Sequence, residues 1–304
     1  MSHPNTRRMR FVGVSTASSS IMQVFPLWSD ILGLDAELVG LDLPIGAPRE
    51  AYRAAVAEIQ QDPACAGALV TTHKIALFDA ARDMFDHLDE FAAGVGEISS
   101  IAVRGGQTLG AAKDPLTAGL TLEEVLDEDH FARGAQVLCL GAGGAGTAIG
   151  WYLGQRTDAP ARMTFVDVEG NRLAHLREVL QAHAPHVELR TLTAAEADVP
   201  AELAALPAGS LVVNATGLGK DRPGSPLPPS ARFPRGSVVW ELNYRGPLEF
   251  LAQARSQQAE RDLTVVDGWR YFIHGWSQVI ADVFDIPMDP ARVARLAEAA
   301  ESVR

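Results

Sequence analysis

The chain has 304 residues, 47% of them hydrophobic and 21% charged, with a net charge of −12. That length suggests about two domains, each with enough residues for a full core. The acidic balance, with no cluster of lysine and arginine, argues against nucleic acid as a partner.

Strand-like and helix-like segments alternate along the chain, which predicts an α/β protein with parallel sheets. Residues 11–14, 36–41 and 67–71 read as strands, with helices around 27–32 and over 49–60 between them. Pro26 is expected in the first turn of its helix, or else to kink it. Residues 100–104 and 107–109 flank Gly105-Gly106 and read as a hairpin. Further strands are expected at 137–140, 163–166, 187–190, 211–214, 238–240 and 263–266, with a helix over 171–184. The Pro/Gly-rich stretch 221–229 reads as a surface loop, and the tail over 269–284 and 290–302 as helices. No segment repeats at a fixed period.

The most informative run is Val137-Leu138-Cys139-Leu140-Gly141-Ala142-Gly143-Gly144-Ala145-Gly146. A short apolar strand passes straight into a glycine-rich turn and then into a helix. Gly141 permits a tight turn, Gly143 lets backbone approach a phosphate, and Gly146 lets helix pack close to strand. The helix start supplies N–H donors and a positive dipole end. The strand at 163–166 ends in Asp167, about 20 residues past the last glycine, where an acid that holds the ribose hydroxyls is expected. Together these features predict a Rossmann-type dinucleotide site, with Gly141, Gly143, Gly144, Ala145, Gly146 and Asp167 as cofactor contacts.

Ligands of open α/β sheets bind beyond the carboxyl ends of the strands, and polar residues collect there. Ser18-Ser19-Ser20 follow the first strand, Thr71-Thr72-His73-Lys74 the third, and Lys113-Asp114 the hairpin. Asn214-Ala215-Thr216-Gly217-Leu218-Gly219 and Tyr244 follow later strands. In this order, with Gly110 ahead of Asp114 and an aromatic-rich helix after Gly268, the motifs resemble those of the shikimate/quinate dehydrogenase family over nearly the whole chain.

The resemblance implies two domains: an N-terminal α/β substrate domain (1–115), rejoined by C-terminal helices (268–304), and a Rossmann domain (116–267). It implies an NAD(P)-dependent oxidoreductase that interconverts a secondary alcohol and a ketone on a shikimate/quinate-like cyclic hydroxy acid or cyclitol. Lys74 and Asp114 fall on the catalytic pair, Lys74 as general acid/base and Asp114 hydrogen-bonding the same hydroxyl. Ser18 and Ser20 fall on the serines that bind the substrate carboxylate, with Ser19 able to replace either. Thr71, Ser99, Tyr244 and Gln278 (or Gly275 in its place) fall on further substrate positions. Asn214, Thr216, Gly217, Leu218 and Gly268 join the cofactor contacts. The alternative is a non-catalytic module on the same fold that senses a metabolite or NAD; retention of both Lys74 and Asp114 argues against it.

The departures from the family pattern bear on specificity. Val-Thr-x-Pro-x-Lys appears as Val70-Thr71-Thr72-His73-Lys74, the Asn of Gly-Ala-Val-Asn-Thr is Ser99, and the residues before the catalytic Asp are Ala112 and Lys113. Losing amides that read ring hydroxyls discriminates strongly against a polyol. The expected substrate is therefore a related cyclic hydroxy acid, an aminoshikimate-like compound or another cyclitol. Where NADP-using members carry Asn-Arg-Thr, this chain has Asp167-Val168-Glu169-Gly170, with Asn171-Arg172 following. A carboxylate there accepts from both ribose hydroxyls and repels a 2′-phosphate, so NAD is expected over NADP.

Other residues are expected to be structural. His73 reads as an exposed loop histidine, His183 and His186 lack the spacing of a metal site, and no metal is expected. His274 and Trp276 should pack; Trp269 and Tyr271 could wall the pocket, although an aromatic face of this kind is more often core. Cys65 and Cys139 read as buried free thiols. No apolar run approaches the roughly 18 residues of a membrane span, and no long apolar core follows the charged N-terminus, so a cytoplasmic monomer or homodimer acting on a small molecule is expected.

Overall fold

The computed structural model describes residues 6–220 and 222–304. Met1–Asn5, within the N-terminal stretch read above, and Asp221, the first residue of the predicted surface loop, lie outside the described residues. Two compact units divide the chain: residues up to Lys113 together with Ile273–Arg304, and Asp114–Phe272.

In the first unit, β1 (Arg7–Gly13) leads to α1 (Ile21–Leu32), β2 (Ala36–Asp42), α2 (Arg49–Gln61) and β3 (Cys65–Val70). Then come α3 (Lys74–Ala81), β4 (His87–Leu88), α4 (Glu90–Val95), β5 (Ser100–Arg104) and β6 (Gln107–Ala111). The sheet order is β2-β1-β3-β5-β6-β4. β1 lies parallel to β2 and β3, and β5 antiparallel to β3 and β6. Every residue of β3 is buried, as an apolar run in the middle of a sheet requires. Gly105 and Gly106 have φ of 56° and 79°, the paired positive values that a two-residue hairpin turn needs. Of the two places expected for Pro26, the first turn is excluded: it lies farther inside α1.

The second unit opens with α5 (Asp114–Glu123) and continues with β7 (Val137–Leu140), α6 (Gly144–Gln155), β8 (Arg162–Asp167), α7 (Gly170–His183) and β9 (Glu188–Thr193). After it come α8 (Val199–Ala205), β10 (Leu211–Asn214), β11 (Val238–Glu241), α9 (Glu249–Arg261) and β12 (Thr264–Val266). The sheet order is β12-β11-β10-β7-β8-β9, parallel throughout. Read from β9, this is the doubly wound 3-2-1-4-5-6 order, which reverses between β7 and β10. Leu138, Leu140, Val166, Val212, Val239, Phe250 and Ala254 share a buried core on one side of the sheet.

The tail forms α10 (Trp269–Phe284) and α11 (Pro290–Ala300). Within the first unit, Trp28 Nε1 donates to Leu296 O at 2.7 Å, and Phe11 meets Trp276 edge-on at 4.9 Å. These contacts fasten α11 to α1 and α10 to β1. Both cysteines are buried and free. Burial pushes the Cys139 thiol well above its usual range, as expected for an inert core thiol. No helix among the described residues is long and apolar enough to cross a membrane.

Candidate functional site

The glycine-rich turn of the second unit is built by close backbone approach. Gly141 has φ of 110°, and a Cβ there would lie 2.5 Å from Ala215 O in the turn after β10. A Cβ on Gly146 would collide with Gly141 O, whereas one on Gly143 would meet nothing within 4 Å. The turn is thus closed on the side of its own fold and open at Gly143. Thr147 N donates to Gly143 O as the first bond of α6. Donors from Gly144, Ala145 and Gly146 therefore precede the helical ladder.

Asp167 ends β8, buried. Its Oδ2 accepts from Ala142 N at 2.7 Å and its Oδ1 from Glu169 N at 2.9 Å. Arg172 lies 3.9 Å from Oδ1. A carboxylate has about four acceptor sites, so capacity remains after those two bonds.

The turn after β10 sits beside this region. Ala215 N donates to Leu140 O, the last residue of β7, at 2.7 Å. Asn214 is fully buried, and its Oδ1 accepts from Thr216 N at 3.1 Å and from Thr216 Oγ1 at 2.7 Å. Gly217 takes φ of 74°, which only glycine adopts without cost. Gly268 N donates to Asn243 O at 3.1 Å, and a Cβ there would collide with Leu242 O. Gly141, Asp167, Asn214, Thr216, Leu218 and Gly268 are thus drawn together at the carboxyl ends of the parallel strands.

Reading by motif missed Glu241. It ends β11, opposite Asn214 in register, and is fully buried. Its Oε2 accepts from Asn214 Nδ2 at 2.7 Å, and its Oε1 from Asn243 N and Nδ2 at 2.8 and 2.7 Å. Burial pushes its carboxyl up to about 7 against the pull of those three N–H donors. The available signal was a carboxylate closing the apolar run Val238-Val239-Trp240.

Tyr244 belongs to an aromatic cluster, 5.7 Å from Trp269 and 4.6 Å from Phe272, which stack on each other at 5.0 Å. Trp269 is buried in this cluster, as core packing of the aromatic face requires, and Tyr271 meets Trp240 edge-on at 5.5 Å. His183 lies tilted against Trp151, with ring centroids 3.8 Å apart.

In the first unit, β1 and β3 run parallel, so the turns carrying Ser18 and Ser20 and those carrying Thr71 and Lys74 leave the sheet at one end. Ser20 stands at the N-cap of α1 without a capping side-chain bond, and Ser18 Oγ donates to Ser15 O at 3.3 Å. Thr71 Oγ1 donates to Val12 O at 3.3 Å. Lys74 begins α3, and its carbonyl accepts from Ile98 N at 3.2 Å. Val70 N donates to Ser99 O at 2.9 Å, and Ser99 Oγ accepts from Lys113 N at 2.7 Å. Thr71, Lys74 and Ser99 are thereby tied into one backbone cluster. Gln278 and Gly275 are half-buried on α10. Asp114, buried, is the first residue of α5 in the second unit.

His73 corrects the reading of an exposed loop histidine. It is 3% exposed; Nε2 donates to Leu43 O at 2.9 Å, which leaves Nδ1 to accept from Tyr52 Oη at 3.2 Å. The partners come from segments some 20 to 30 residues away, beyond the reach of local pattern. A second carboxylate passed over by motif reading is Glu97, buried one residue before the Ile98 that bonds Lys74 O.

A cavity of about 650 Å³ lies elsewhere, at the amino ends of β11 and β12, where it is lined by His130, Arg133, Gly209, Arg235, Val238 and Thr264. None of the predicted site residues lines it. No group of three or more metal-ligating side chains occurs among the described residues.

Fold and site define a two-unit α/β protein whose second unit is a Rossmann fold with a glycine-rich turn at the reversal of strand order. No family model matches the chain. In sequence it is similar to a shikimate dehydrogenase (NADP(+)) of Symbiobacterium thermophilum, 32% identical over 203 residues, 64% of this chain and 64% of that protein. It is also similar to one of Streptococcus gordonii, 31% identical over 175 residues, 57% of this chain and 58% of that protein. The chain matches about three fifths of the length of these curated relatives. In fold it is similar to quinate dehydrogenase from Corynebacterium glutamicum in complex with NAD, with a TM-score of 0.75 at 20% identity, covering 98% of this chain and 99% of that one. It is likewise similar to ligand-free 5-ketofructose reductase of a Gluconobacter species, with a TM-score of 0.70 at 18% identity, covering 99% and 100%. In sequence and in fold the chain is thus similar to shikimate and quinate dehydrogenases.

Proposed function

We propose that the chain is an NAD(P)-dependent oxidoreductase that interconverts a secondary alcohol and a ketone on a cyclic hydroxy acid or cyclitol of the shikimate/quinate kind. One observation carries the reading: the glycine-rich turn, open at Gly143 and fastened to Asp167, stands where the order of parallel strands reverses. That is where such sheets take dinucleotides. The sequence relatives named as shikimate dehydrogenases support the reaction class.

The residues fit the cofactor. Gly141, Gly143, Gly144, Ala145 and Gly146 would cradle the pyrophosphate at the start of α6, and Asp167 would accept from the ribose hydroxyls with its remaining acceptor sites. Thr216, Gly217, Leu218 and Gly268 would line the nicotinamide half; Asn214, expected among these contacts, is fully buried with its amide engaged by Thr216 and Glu241, and would act by holding Thr216 in place. The Asp167 carboxylate makes NAD the preferred cofactor here, although the sequence relatives are named for NADP. When bound, the nicotinamide supplies or accepts the hydride.

Lys74 moves the proton, taking it from the substrate hydroxyl in oxidation and returning it in reduction. Asp114 hydrogen-bonds that hydroxyl. Ser18 and Ser20 bind the substrate carboxylate, and Thr71, Ser99, Tyr244 and Gln278 contact its ring. In this reading residues 1–115 with 268–304 carry the substrate, and 116–267 the cofactor.

A panel of cyclic alcohols (shikimate, quinate, aminoshikimate and cyclitols) assayed with NAD and NADP at the nicotinamide absorbance tests it. Turnover with at least one is expected. Absence of turnover across the panel, with no dinucleotide binding by calorimetry, overturns the reading; efficient turnover of shikimate alone overturns the narrower expectation that the lost amides favour a related compound over shikimate itself.

A further inference from the structure

We infer that Glu241 is a positioning residue: as an all-acceptor carboxylate it holds the turn over residues 214–219 in shape through a closed ring of hydrogen bonds. The ring runs from Glu241 to Asn214, to Thr216, to Leu218, to Asn243 and back. Asn214 Nδ2 donates to Glu241 Oε2, and Thr216 donates from both N and Oγ1 to Asn214 Oδ1. Leu218 N donates to Thr216 Oγ1 at 3.1 Å, and Leu218 O accepts from Asn243 Nδ2 at 3.0 Å. Asn243 closes the ring by donating from N and Nδ2 to Glu241 Oε1. Both polar groups of the Leu218 backbone are thus referred to one buried carboxylate. The functional meaning of the ring rests on the dinucleotide reading above, in which this turn carries the nicotinamide half.

The polarity of the ring is determined. Asn214 cannot flip its amide without losing both Thr216 bonds, and Asn243 Nδ2 is shared between Glu241 and Leu218 O. Every group facing the two Glu241 oxygens is therefore an N–H donor. An amide at this position, or a protonated acid, sets donor against donor.

Among the described residues, no ionised side chain pairs with the Glu241 carboxylate. Its neighbours β10 (Leu-Val-Val-Asn) and β12 (Thr-Val-Val) carry no charged residue. On α9, whose Phe250 and Ala254 share the core with Val239 of β11, the charges are engaged elsewhere or exposed. Glu249 accepts from Gly224 N, Glu260 pairs with Arg232, Arg261 donates to Phe233 O, and Arg255 is exposed. On the turn itself, Lys220 lies over the Tyr244 ring at 5.9 Å. With only neutral donors against burial, Glu241 titrates near 7, so its protonated form is within reach of neutral pH.

The test compares the full-length wild type with Glu241→Gln and Glu241→Asp by amide hydrogen exchange and by calorimetry with NAD and NADP. In Glu241→Gln, exchange at Thr216 and Leu218 is expected to rise at least about tenfold relative to β7 amides. Dinucleotide affinity should fall by about tenfold, as for loss of a charged hydrogen-bond acceptor. Glu241→Asp keeps two acceptors and should stay within about threefold of wild type in exchange. In the wild type, lowering the pH from about 8 to about 6 should loosen the same amides, after correction for intrinsic exchange rates. Wild-type protection of Thr216 and Leu218 in Glu241→Gln overturns the inference. If Glu241→Gln does not fold, the wild-type pH series decides, and unchanged protection across it overturns the inference. If the wild type binds no dinucleotide while the exchange responds as stated, the functional reading fails and the positioning role stands. If the wild type binds and Glu241→Gln matches it in both readouts, the reading stands and the inference fails.

Discussion

Asp167 accepts from Ala142 N at 2.7 Å, so the acid that ends β8 is fastened to the glycine-rich turn that follows β7. In the reading proposed above, selectivity for the cofactor and the shape of the turn would therefore be linked in one side chain. Replacing Asp167 with Ser removes the charge that repels a 2′-phosphate and leaves Arg172, now 3.9 Å from Oδ1, without that carboxylate. Asp167→Ser should weaken NAD binding by about tenfold, the loss of one or two ribose bonds, and move the NAD/NADP preference toward NADP. Dissociation constants for both dinucleotides check it; an unchanged ratio removes Asp167 from the selectivity role.

Two glycines of one turn should respond differently. A Cβ on Gly146 has no room beside Gly141 O, so Gly146→Ala must push α6 off β7, at a cost of about 1–3 kcal/mol. Gly143 has extended backbone, φ −74° and ψ −167°, and open space. Gly143→Ala should leave stability within about 0.5 kcal/mol of wild type yet obstruct the approach of a pyrophosphate. Denaturant melts with dinucleotide titrations separate the two. If Gly143→Ala binds as wild type does, the phosphate does not lie over that residue.

The second unit was largely legible in the sequence because its elements are local. The apolar run over 137–140, the glycine spacing and the Asp167 that closes the next strand each sit within one βαβ stretch. The short helices α3, α4 and α8 were not legible; each spans eight residues or fewer, too few for periodicity to register. His73 misled for another reason: polar neighbours suggest exposure, and its burial is set by Tyr52 and Leu43 from other elements. Glu241 was hidden likewise, since its partner Asn214 lies 27 residues upstream. Long-range pairing of polar groups leaves no local signature, and in this chain it falls at the carboxyl ends of the strands.

Lys74 offers the most direct test of the proton chemistry. It is the first residue of α3, and its backbone is held by Ile98 N, so truncating the side chain spares the turn. Lys74→Ala should lower kcat by about 10²–10⁴, the usual contribution of a general acid/base. NAD affinity should stay within about twofold, because binding precedes proton transfer. Steady-state kinetics with calorimetry distinguishes the roles: a change confined to KM assigns Lys74 to substrate binding instead.

Glu241 makes the stability of the fold depend on pH with a definite sign. Its folded-state value, about 7, lies above the ordinary carboxylate range, so the native state holds a proton that the unfolded chain has released. The contribution is fully present below about pH 4.3, where the unfolded carboxyl is also protonated, and is lost as pH rises through about 7. Its ceiling is about 4 kcal/mol, at about 1.4 kcal/mol per factor of ten in proton affinity. The fold is thus more stable toward acid, whereas the hydrogen-bond ring around Leu218 is better formed toward alkali, and one titration drives the two in opposite directions. Melting the wild type and Glu241→Gln from pH 5 to pH 8 isolates the effect, since the surface acids are common to both. The wild type should lose stability relative to Glu241→Gln as pH rises through about 7. Parallel pH profiles for the two proteins would show that Glu241 ionises in the fold as it does in water.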